Sequence, residues 1–120
     1  MFKKYFVIRK FIKELEEGIV IENINVGFAR EAYLDLEKIQ GKDVELLQCY
    51  ENDLKEISNQ EHANKEGKEA VKNLKNKIKN IEAKIEAREI TLESLSKGIQ
   101  ERKDKVLMYQ RKIEFVKKHG

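Results

Sequence analysis

VKNLKNKIKNIEAKIEAREITLESLSKGIQERKDKVLMYQRKIEFV, residues 71–116, carries apolar residues at alternating steps of four and three along its whole length. One series is Val71, Ile78, Ile85, Leu92, Ile99, Val106 and Ile113, and its companion is Leu74, Ile81, Arg88, Leu95, Arg102, Tyr109 and Val116. Twelve of these fourteen positions are apolar, whereas a chain that is 40% hydrophobic would place about six there by chance. Side chains at such steps share one face of an α-helix, so the repeat predicts a long helix packed along a coiled-coil-like seam. The 120 residues contain no proline, and nothing in this stretch removes a helical hydrogen bond.

A second seam lies upstream, at Ala29, Tyr33, Leu36, Gln40, Asp43, Leu47, Tyr50, Leu54 and Ile57. Between the two is SNQEHANKEGKE, residues 58–69, polar except for Ala63 and with Gly67 near its end, which predicts the turn of an αα-hairpin. Folding back there pairs positions whose numbers sum to 128. Ile57 then meets Val71, Leu54 meets Leu74, Tyr50 meets Ile78 and Leu47 meets Ile81. Leu36, Tyr33 and Ala29 meet Leu92, Leu95 and Ile99. The same seam would also serve a parallel dimer of the long helix, whereas the fold-back register fills both seams within one chain.

Between these matched stretches Asp43 falls opposite Ile85 and Gln40 opposite Arg88. A polar layer in a helical seam lowers stability and fixes register or oligomeric state, so Arg88, Gln40 and Asp43 are expected to form a register layer. The competing reading has Arg88 laying its stem on the seam and reaching solvent.

Charge is segregated in the same way. Residues 1–27 hold five basic and four acidic residues, 28–66 hold five and ten, and 67–120 hold fifteen and eight, which leaves the whole chain at +3. A basic segment suggests nucleic acid, with Lys72 and Lys79 as the candidate phosphate contacts outside the seam. An acidic helix folded on a basic one accounts for the asymmetry more simply. Lys75, Lys77 and Lys84 flank the seam where the acidic helix would lie, arginines are few, and no stacking aromatic is near.

Residues 100–117 lie beyond the reach of 29–57 and need another partner. The first seventeen residues supply Phe2, Tyr5, Phe6, Ile8, Phe11, Ile12 and Leu15 at helical spacing, while Leu107, Met108 and Phe115 enrich the far end of the long helix. Mutual packing explains both. A membrane-surface helix is the weaker alternative, because Glu14, Glu16 and Glu17 interrupt the basic start. GIVIENINVG, residues 18–27, is β-like, rich in Ile and Val and bounded by glycines, and predicts either a short strand or an irregular linker with Asn25 capping the next helix. The expected organisation is therefore all-α: residues 1–27 as an N-terminal amphipathic helix with a short β-like linker, and 28–120 as a long antiparallel helical hairpin with its turn near 58–69.

Such a hairpin leaves Phe28, Ala32, Ile39, Leu46 and Cys49 as a second stripe on the acidic helix, and Ala83, Ala87 and Ile90 on the basic one. Burying them calls for more helices, so a homodimer or higher homo-oligomer forming a helical bundle is expected, with Cys49 as a small buried hydrophobe. One cysteine forms no intramolecular disulfide, and the early apolar run ends at Arg9 and Lys10, so a reducing, cytoplasmic setting is expected. His62 and His119 have no ligand-spaced companions, the six glycines are scattered, and no nucleophile stands with a base. The sequence thus predicts no cofactor, no metal and no catalysis. It predicts a helical adaptor, scaffold, chaperone or inhibitor acting on a protein partner, with nucleic-acid association through the basic helix, or membrane-surface binding, as the alternatives.

Overall fold

A computed structural model describes the backbone of residues 2–59 and 65–119, and the side chains of 3–58 and 66–119. The described residues form two α-helices, α1 (Phe2–Asn59) and α2 (Lys65–His119), and no strand. Of the expected turn, residues 58, 59 and 65–69 are helical, while 60–64, which include His62 and Ala63, lie outside the described residues. The residues divide into two compact units, one made of 1–33 with 94–120 and the other of 34–93.

In the unit 34–93 the helices run antiparallel in the expected register. Every seam position there is withdrawn from solvent, Ile81 most fully at 8% exposure. Gln40, Asp43 and Tyr50 of α1 reach Ile85, Arg88 and Lys77 of α2 at number sums near 128. The physical cause is the repeat itself: apolar residues at steps of three and four give each helix one narrow face that leaves water when the other helix covers it.

In the unit 1–33 with 94–120 the structure corrects the sequence reading. Residues 18–27 are helical and lie inside α1; they form neither a β-like strand nor an irregular linker. Ile19, Glu22 and Val26 continue the steps of three and four upstream of Ala29, and all three are buried or half-buried, as are Leu15, Ile12 and Ile8 further up. The sum of 128 still holds, setting Val26 by Arg102, Glu22 by Val106, Ile19 by Tyr109 and Leu15 by Ile113. Val26, Val106 and Ile113 are the buried apolar residues of this unit. Two mid-helix glycines each cost about 1 kcal/mol relative to alanine, and β-branched residues are indifferent helix formers. Packing against α2 outweighs both.

Of the N-terminal apolar residues with described side chains, Ile8, Ile12 and Leu15 enter this seam; the Phe2 side chain lies outside those described. The two apolar ends pack on one another as expected, but through these seam residues alone: Tyr5, Phe6 and Phe11 are exposed, and so are Leu107, Met108 and Phe115. These residues sit off the seam positions of their helices, where the other helix of the hairpin does not reach.

Gly18 lies where a Cβ would come 3.1 Å from the Tyr109 ring, whereas a Cβ at Gly27, Gly41 or Gly98 would meet nothing within 4 Å. Gly27→Ala, Gly41→Ala and Gly98→Ala are each expected to stabilise the chain by about 0.5–1 kcal/mol, read as a rise in the thermal midpoint of the helical circular-dichroism signal. Gly18→Ala is expected to gain less than any of them, because the ring must shift to admit the methyl group.

Candidate protein-interaction surface

Two polar layers interrupt the seams, and each is a diagonal pair. In the unit 34–93, Arg88 donates from Nη1 to Asp43 Oδ2, and Gln40 Nε2 donates to the backbone carbonyl of Ile85 at 2.8 Å. The three residues singled out from the sequence are therefore together, with the Arg88 and Asp43 side chains at 23% and 21% exposure. The Arg88 head group is held by the carboxylate across the seam. Gln40 Oε1 is buried without a hydrogen-bond partner, so the layer is incompletely satisfied.

The second layer was not anticipated. Arg102 Nη1 donates to Glu22 Oε2 at 3.0 Å, and Lys105 Nζ stands 3.8 Å from Glu22 Oε1. Glu22 is the buried charged residue among those described, at 9% exposure. Extending the α1 seam upstream at unbroken steps of three and four puts Glu22 one layer from Arg102. That signal was in the sequence, masked by the glycines around it.

These are the cross-helix ion pairs among the described residues, so charge complementarity inside the hairpin rests on few contacts. Lys77 lies over the Tyr50 ring, 5.7 Å from its centroid, and Lys75 and Lys84 are exposed. Lys72 and Lys79 are exposed on α2, seven residues apart, and neither forms an ion pair among the described residues. Among the described residues no group of His, Cys, Asp and Glu could hold a metal ion, and no helix is long and apolar enough to cross a membrane. His119 packs on Phe115 with ring centroids 4.6 Å apart.

The dominant surface feature is apolar. In the unit 1–33 with 94–120, Phe28 is 66% exposed and Ala32 is exposed; in the unit 34–93, Ile90 is 65% exposed, and Ile39, Leu46, Cys49, Ala83 and Ala87 are exposed too. Cys49, expected as a small buried hydrophobe within a bundle, is thus open to solvent in the single chain. On α1 the exposed set extends to Phe6, Val7, Phe11, Val20, Ile21 and Ile24. Over residues 19–28 the helix is apolar on almost every side, the pattern of a helix that is covered all round. Comparison with family models, curated proteins and solved structures returns no match.

Arg88→Leu is expected to lower the thermal midpoint, because it strands the half-buried Asp43 carboxylate, and to broaden the population of oligomeric states if the layer sets register. A sharper melt with an unchanged oligomeric state, by calorimetry and light scattering, would contradict that role.

Proposed function

We propose that this chain is a non-enzymatic helical interaction protein, an adaptor, scaffold, chaperone or inhibitor, which works through protein–protein contacts and assembles with further copies of itself. One observation carries the reading. Among the described residues sixteen large apolar side chains are exposed, against four buried ones, Val26, Ile81, Val106 and Ile113. A chain of this size buries most of its large apolar side chains when it is complete by itself, and extensive exposed apolar surface marks contact sites. The hairpin seams are already filled by their own partners, so the exposed residues have a different use.

The register layers suit this role. An antiparallel pair whose slippage would separate Arg88 from Asp43 and Arg102 from Glu22 presents its outer faces in a fixed order, as a recognition surface requires. The single cysteine suits a reducing compartment such as the cytoplasm.

The test is recovery of the chain from its source with and without nuclease treatment, followed by mass measurement of the intact complex. The expected result is a protein-only assembly whose mass nuclease leaves unchanged. A complex that collapses on nuclease treatment, is lost steeply with salt, and fails to form with Lys72→Glu and Lys79→Glu would replace this reading with the nucleic-acid one.

A further inference from the structure

The α1 face at positions 7, 11, 14, 18, 21, 25, 28 and 32 repeats at steps of four and three, about a quarter turn round the helix from the seam that meets α2. It lies wholly within the unit 1–33 with 94–120. Val7, Phe11, Ile21, Phe28 and Ala32 are exposed along it, and Gly18 and Asn25 are half-buried. We propose that this face is the docking surface for a second copy of the chain, with the two α1 helices antiparallel and paired positions summing to 39. The inference rests on the self-assembling reading above and names the surface and register that carry it.

Self-complementarity identifies the occupant. A register of 39 sets Phe11 against the partner's Phe28 and Val7 against the partner's Ala32, and it brings the partner's Ile21 over Gly18 and the edge of the Tyr109 ring that packs on it. The remaining pair, Glu14 with the partner's Asn25, is polar against polar, and the amide donates to the carboxylate. The twofold axis makes each contact twice. Sliding the second copy by one heptad sets Asn25 against the partner's Ile21 in one direction and the partner's Val7 in the other, burying an amide without a partner. Charge selects the same register. Lys10 and Glu31, both exposed, flank the face two residues off the paired layers, so each Lys10 lies beside the partner's Glu31. The apolar segment 19–28 becomes covered on the side that the hairpin leaves open, and two aromatic pairs anchor the ends of the contact.

The test uses cysteine pairs in the full chain with Cys49→Ser. Val7→Cys and Ala32→Cys are prepared separately, mixed through unfolding and refolding, and oxidised. The mixture is expected to give a disulfide-linked heterodimer, and each variant alone none, because like positions lie 25 residues out of register, roughly 37 Å. In parallel, Lys10→Glu or Glu31→Lys alone is expected to weaken the dimer about tenfold, and the two together to restore it to within about threefold of the parent. A dimer cross-linked by Val7→Cys alone, or one indifferent to the charge exchange, overturns this interface and leaves the self-assembling reading standing. A chain that stays monomeric at every concentration overturns both.

Discussion

Ile81→Asp is expected to unfold the unit 34–93 at temperatures where the parent chain is fully helical. Among the described residues of that unit Ile81 is the buried apolar one, flanked along the seam by half-buried Leu74, Ile78 and Ile85. Truncating such a side chain to alanine costs about 2–4 kcal/mol, and placing a carboxylate there adds a desolvation cost that Lys77 and Lys84, exposed one turn away on either side, recover only in part. The total exceeds about 4 kcal/mol, a large part of the 5–15 kcal/mol that holds a domain together. For a chain of this length each kcal/mol moves the midpoint by about 4 °C, so a fall of about 15 °C or more is expected in the helical signal. Ile90→Asp on the same helix is the control. Ile90 is 65% exposed, and its replacement should leave the midpoint of the dilute chain within a few degrees.

Arg102→Leu should destabilise the unit 1–33 with 94–120, and Glu22→Leu added to it should recover the loss or exceed it. Glu22 is nearly buried, and with Arg102 gone its carboxylate keeps only Lys105, 3.8 Å away. Removing one member of such a pair leaves a charge uncompensated, while replacing both by apolar residues is often neutral or stabilising by about 1–4 kcal/mol. Arg102 is 42% exposed, which places the single-variant cost at the lower end, about 1–3 kcal/mol. Thermal midpoints of the two singles and the double, taken as a cycle, measure the coupling. A double variant no more stable than Arg102→Leu would mean that the Glu22 carboxylate is not what the arginine compensates.

The α2 seam was legible in full. All fourteen positions chosen by spacing, polar Arg88 and Arg102 included, are buried or half-buried in the structure, because period is a property of the helix face and survives a few charged members. The α1 seam was legible from Ala29 to Ile57 and lost above it. Gly18 and Gly27, with the Ile and Val between them, carry local preferences for turn and strand, and local preference yields when a packed partner lies at the right spacing. Ile19, Glu22 and Val26 had that spacing. Glu22 went unread because a carboxylate announces itself as core only through the arginine across from it. Gly18 has a use that no pattern displays: it makes room for the Tyr109 ring.

The surface was legible in part. Phe28, Ile39, Leu46 and Ile90 were identified as an apolar set outside the seam, and they are exposed in the structure. Tyr5, Phe6 and Phe11 were placed against the far end of α2 because both ends are apolar, but composition does not say which side of a helix a residue is on. Their positions relative to the seam do.

Sedimentation equilibrium of the purified chain, from about 1 to 100 μM, tests most directly whether the face left open by the hairpin serves another copy. The expected result is a mass approaching twice 14.2 kDa for the parent chain, and a single-chain mass with undiminished helical signal for Phe28→Glu. A parent chain at 14.2 kDa across the whole range would contradict it.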